Sequence, residues 1–220
     1  MTARTPDVID LLASIEPGSP LDAVRAKRAQ ARENAQKSYL ALFRPETPGT
    51  VTAEERYAVA TFVAGLHRQP AVTEFYASGL RALGKARLAE AVDGEILRGA
   101  AEGPYGRYPA GPLSREDRDG PVYAVTEESR TVLGHRLAAA FEHAHLLVFR
   151  PRDAAAGALQ RLLDAGWSTT DIVTLSQLVS FLAFQIRAVA GFRTLAAAPR
   201  AEAGAKPETV FAGALASNHI

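Results

Sequence analysis

Ser168-Thr169-Thr170-Asp171-Ile172-Val173-Thr174-Leu175-Ser176-Gln177-Leu178-Val179-Ser180-Phe181-Leu182-Ala183-Phe184-Gln185-Ile186 is the stretch that decides the fold class. It opens with a Ser-x-x-Asp start signal, in which a side-chain oxygen accepts from an orphan N–H of the first helical turn. Its apolar residues then recur at helical spacing to about Gly191 and cover most of the circumference, so the helix is expected at the centre of the molecule or at a subunit contact. From Ile172 to Ile186 it is interrupted by Gln177 and Gln185 and ends at Arg187, which reads as too short and too polar to span a membrane.

Outward from this segment, every other periodic stretch is also helical. On the N-terminal side lie Ala154 to Leu163, stopped by Ala165-Gly166, and a longer pattern from Thr126 through Phe141 to Phe149. Before these, Gly103-Pro104, Gly106, Pro109, Gly111-Pro112 and Gly120-Pro121 mark 99–121 as a long loop, of the kind that is either functional or mobile. Thr52-Ala53-Glu54-Glu55 is a capping box that starts a helix to about His67, with Val59, Phe62, Val63 and Leu66 on one face. After Pro70 a helix carries Phe75, Tyr76 and Leu80, and an Ala/Leu segment fades near Gly94. A short helix is expected over Val8 to Ile15, and a single one from Ser19-Pro20 toward Phe43. Arg25, Lys27, Arg28, Arg32 and Lys37 on that helix read as a solvated face, since Asp22 and Glu33 interrupt them. No alternating strand pattern recurs, so the class is all-α. The organisation read from these elements is an N-terminal helical extension over 1–50, a helical domain over 51–198 and a loosely held tail over 199–220.

The 220 residues suit one large domain or a duplicated small one, and 47% hydrophobic with 22% charged residues is the mix of a globular chain. Leu40-Ala41-Leu42-Phe43-Arg44-Pro45 echoes Leu146-Leu147-Val148-Phe149-Arg150-Pro151, a faint sign of duplication. A net charge of +1 argues against a nucleic-acid partner. Zero cysteines exclude disulfides, thiolate metal sites and cysteine nucleophiles. Met1-Thr2-Ala3-Arg4-Thr5-Pro6-Asp7 lacks the apolar run of an export signal, so a cytoplasmic location is expected.

Thr52 to Leu80, Leu159 to Ser168, Asp171-Ile172 and Phe181 to Gly191, with Asp7-Val8-Ile9-Asp10 and Ala35 to Tyr39 upstream, resemble the alkylhydroperoxidase/carboxymuconolactone decarboxylase superfamily, in its peroxidase-related branch. The resemblance spans most of Asp7 to Leu195. It implies a multi-helix bundle that assembles into dimers, trimers or hexamers. The family's peroxidases carry a Cys-x-x-Cys pair, a following His and an upstream Glu. Anchored on Arg56, those positions fall on Gln69, Val72, Tyr76 and Tyr57, all four replaced. Peroxide reduction needs a thiolate to attack the O–O bond and a second thiol to resolve the sulfenate. Thiol peroxidase activity is therefore expected to be absent.

Two functions stay open. One is a non-catalytic or partner subunit, beside a related subunit that retains the Cys pair. The other is a Cys-independent acid/base lyase or isomerase on a small organic acid or lactone, with His67, Glu74 and Tyr76 as candidate groups. Against these stand structural readings: His67 as a helix C-terminal residue, Tyr76 as a core aromatic with its hydroxyl satisfied. Glu142 and His145 share a helix face near His143 and His135, but no second Glu-x-x-His pair exists, so no metal is expected. No cofactor fingerprint is present.

Overall fold

A computed structural model describes residues 6–198; the first five residues and the predicted tail 199–220 lie outside the described residues. Among the described residues there are nine α-helices and no strand: α1 (Val8–Ala13), α2 (Pro20–Ala26), α3 (Ala29–Phe43), α4 (Ala53–Leu66), α5 (Pro70–Ala82), α6 (Ala86–Arg98), α7 (Glu127–Phe149), α8 (Ala156–Asp164) and α9 (Thr169–Ala197). The start signals act as expected. Ser19, Thr52, Thr126 and Ser168 each accept from the backbone three residues on, and the boxes at Thr52/Glu55 and Ser168/Asp171 are closed in both directions.

The apolar helix α4 is the hub, buried on nearly every face and packed by α5, α6, α7 and α9. One continuous core runs from Val8 and Ile9 of α1 through Phe62, Phe141 and Leu182 to Val189, so the first 50 residues contribute to the same interior as the rest.

Several expectations need correction. The helix from Ser19 toward Phe43 is two helices with a turn at Lys27-Arg28. The turn lets Arg25 and Arg32 reach back: Arg25 pairs with Asp7 (3.0 Å) and Asp10 (2.9 Å), and Arg32 bridges Asp10 and Asp22. Arg25 is thus buried, not part of a solvated face. The segment expected to fade near Gly94 continues as α6 to Arg98. Second, α7 is broken at Gly134, whose φ of 75° and ψ of 165° no helical residue adopts and which a side chain would strain.

Third, α9 does not stop at Gly191 but runs 29 residues, long and apolar enough to cross a membrane by length and composition. Half of its most apolar stretch is buried against the rest of the chain, as a core helix requires. Its apolar surface is covered within the chain except at a few points. Leu175, Leu178, Val179, Phe181, Leu182 and Ile186 are buried, whereas Phe184 is 52% exposed.

The 99–126 connection is ordered by polar contacts. Gly106 and Arg118 exchange backbone hydrogen bonds, and Tyr105 N–H donates to Phe149 O (2.6 Å). Arg152 stacks on Tyr108 at 3.9 Å, and Arg118 on Tyr105 at 5.1 Å. At its far end the buried Glu95 accepts from Tyr123 (2.5 Å), while Glu142 accepts from Val125 N–H (3.1 Å).

The sequence echo has a geometric counterpart. Arg44 and Arg150 end α3 and α7 with near-identical dihedrals (−139°, 49° and −133°, 45°), each donating its N–H to the residue four before. Thr52 follows eight residues after Arg44 and Ser168 eighteen after Arg150; the additional residues carry α8.

Candidate functional site

The four positions at which the resemblance sets peroxidase residues do not meet around an open cavity. Val72 and Tyr76, on the inner face of α5, are completely buried. Tyr76 lies in a cluster of rings: Phe43 at 4.9 Å, Phe75 at 5.1 Å and Tyr57 at 6.4 Å between centroids, with Tyr39 stacked on Phe43 at 5.2 Å. α4 and α5 approach closely here, since a Cβ at Gly79 would overlap the Tyr57 ring.

The Tyr76 hydroxyl donates to Gln185 Oε1 of α9 at 2.6 Å, a hydrogen bond sealed on all sides. Burial pushes the phenol well above its ordinary range, so Tyr76 is neutral and holds its proton. The Gln185 amide nitrogen, equally buried, has no hydrogen-bond partner.

Gln69 sits apart from this core, at the N-cap of α5. Together with Arg68, Thr73, Glu74, Arg81 and Asp93 it lines a shallow cleft of about 470 Å³ between α5 and α6. Glu74 is exposed and paired with Arg81. Burial and the neighbouring Glu74 and Glu90 raise the Asp93 carboxyl against Arg81.

His67 is not among the cleft residues. It caps α4, where desolvation, then the charge of Arg187, lowers its pKa, so the neutral ring is favoured over the imidazolium a helix C-terminus would attract. The structure therefore brings neither His67 and Glu74 nor Glu74 and Tyr76 to one reaction centre. Among the described residues no group of three potential metal ligands forms. His145 meets Gly99 O (2.9 Å) and stacks on Tyr123 (4.6 Å), and Glu142 is held by Arg130 and Val125.

One highly connected polar side chain was passed over by sequence reasoning. Arg136, two residues past the break in α7, donates Nε to Glu55 Oε1 (2.6 Å), Nη2 to Asp171 Oδ2 (3.2 Å) and Nη1 to Gly166 O. Its guanidinium lies 4.1 Å over the ring of Trp167, whose Nε1–H donates back to Arg136 O (2.8 Å). It ties together the capping carboxylates of α4 and α9. Burial works against the Asp171 charge, but hydrogen bonds from Thr50, Ser168 and Arg136 outweigh it and hold the carboxyl at about 2. The visible signal was the pair of capping boxes; nothing local connected either to residue 136.

No family model, curated protein or solved structure matches the chain.

Proposed function

We propose that this chain is a relative of the alkylhydroperoxidase/carboxymuconolactone decarboxylase proteins that has lost thiol chemistry and serves as a non-catalytic or partner subunit of a cytoplasmic peroxidase-related system. The observation that supports this reading is the filled core at Val72 and Tyr76. Aromatic rings and a sealed Tyr76–Gln185 hydrogen bond surround these two residues, while Gln69, the other position of the thiol pair, lies apart at the N-cap of α5. A lyase or isomerase would need an acid and a base converging on a substrate; in the cleft Glu74 is bound to Arg81, and its one acidic companion, Asp93, faces the same arginine, with neither His67 nor Tyr76 among the lining residues.

The same reading includes self-assembly through the far half of α9, where Phe184 (52% exposed) and Leu195 (51%) face outward. Peroxide consumption with a dithiol donor should show no turnover, and sustained reduction by metal- and haem-free protein would refute the subunit reading. Light scattering at low micromolar concentration should give a multiple of 23.4 kDa that Phe184→Asp reduces. A clean monomer mass for the unaltered chain would remove the assembly from the proposal.

A further inference from the structure

A groove of about 1320 Å³ runs between the C-terminal end of α3, the 44–52 connection, α8 and the first turns of α9. Leu42, Val51, Leu159, Ile172, Val173 and Phe181 supply its apolar lining, and hydroxyls with one amide, Gln177, supply most of the rest. Along the adjoining α9, from Thr169 to Phe184, every exposed residue is uncharged. Only two charged groups line the groove, Arg56 and Asp171.

Their situations differ. Asp171 is matched by Arg136 and hydrogen-bonded by Thr50 and Ser168. Arg56, only 5% exposed, has no carboxylate within ion-pair distance. Its contacts are three backbone carbonyls: Val51 (3.1 Å from Nε), Leu42 (2.8 Å from Nη1) and Pro48 (2.9 Å from Nη2). A guanidinium carries five N–H donors, so two are left without a protein acceptor. Arg25, buried to the same degree, holds two carboxylates. Glu55 and Asp171 act on Arg56 only from beyond ion-pair distance, and both are already bound by Arg136; a buried cation with no carboxylate in contact is costly, and an anion placed against it lowers that cost. The α3 C-terminus beneath Leu42 O offsets part of the charge but supplies no anion.

From this geometry we infer that the groove binds an aliphatic monocarboxylate, its head on Arg56 and its chain along the apolar wall toward Phe181. The head matches the two remaining N–H donors of a guanidinium that touches no carboxylate, and the uncharged lining matches the chain. The inference rests on the groove alone and is independent of what became of the family's cysteine positions.

Isothermal titration of the full chain with decanoate, below its micellar concentration, and with decanol tests it. Decanoate should bind at least tenfold more tightly than decanol, and Ser180→Trp, which fills the groove from an exposed position, should weaken decanoate at least tenfold. Arg56→Gln should abolish the preference for the carboxylate. Should loss of the three carbonyl contacts unfold that variant, Val173→Asp, a surface change that sets a like charge at the groove, should weaken decanoate more than decanol. Equal binding of the two probes, decanoate binding that survives Ser180→Trp, or no binding at all would overturn the proposal. So would a dimer that Ser180→Trp splits without any decanoate uptake, because a second copy would then be the occupant.

Discussion

Replacing Arg136 by alanine should be among the most damaging single changes at a residue with an exposed edge. The side chain is 27% exposed, but the carboxylates it bridges are not: Glu55 is 12% and Asp171 6% exposed. Removing one partner of a buried pair costs about 3–5 kcal/mol, because the remaining charge is stranded. The exposed edge of the guanidinium places this case near the low end, and the lost stacking on Trp167 adds about 1 kcal/mol. A loss of about 3–4 kcal/mol follows, read as a fall in the urea midpoint with the slope unchanged.

The acid limb gives an independent check. With a folded value of about 2 against an ordinary 3.8, Asp171 binds its proton less readily in the folded chain. Its stabilisation, about 2 kcal/mol, is present above pH 4 and disappears as the pH falls toward 2. In Arg136→Ala, Asp171 should titrate closer to its ordinary value, so the mutant's deficit should shrink as the pH drops through that window. A loss below 1 kcal/mol at pH 7, or a deficit independent of pH between 4 and 2, would show that the two capping boxes do not depend on this bridge.

Tyr76→Phe should lower stability by about 1–3 kcal/mol by leaving Gln185 wholly unpartnered, and adding Gln185→Leu should recover part of it; strict additivity in that double-mutant cycle would argue against the hydrogen bond. His67, His143 and His145 are all lowered from 6.5, mainly by burial, with Arg187, Arg161 and Arg150 respectively adding to it. Unfolding therefore takes up protons below that value, and chemical stability should decline as the pH is lowered from 7 to 5; a flat profile there would contradict three neutral rings, those of His143 and His145 buried and that of His67 partly so. Gly65→Ala should lower the melting temperature even though alanine favours helix by about 1 kcal/mol. Its Cβ would fall inside contact distance of three Ile96 side-chain carbons, a clash worth about 1–3 kcal/mol, and a raised melting temperature would mean that α6 moves away freely.

Helix starts were the most legible part of the fold, because a capping side chain and its acceptor lie three residues apart: Thr52 with Glu55, Ser168 with Asp171. Interruptions were less so. Nothing in Ala26-Lys27-Arg28-Ala29 forbids a helix; the turn there follows from ion pairs with Asp7 and Asp10, far back in the chain. Gly134 inside an otherwise helical run is a permissive residue, and only tertiary packing turns permission into a break. For the candidate site, spacing placed Tyr76 in α5 but could not show that Gln185, 109 residues away, would receive its hydroxyl. Nor could it show that α5 turns Val72 inward and leaves Glu74 outside.

The break at Gly134 also divides the molecule in time. Residues 135–149 of α7 are packed deeply into the core, whereas 127–133 and the long connection before them reach it at Tyr105, Val125 and Leu133 and are otherwise held by polar ties to Glu95, Arg98, Glu142 and the Arg150–Asp153 corner. The dihedrals of Gly134 take the backbone out of helical geometry between the two parts. Amide exchange should accordingly divide at that glycine, with 99–133 opening as a unit of low free energy while α4, α9 and the second part of α7 exchange only through global unfolding.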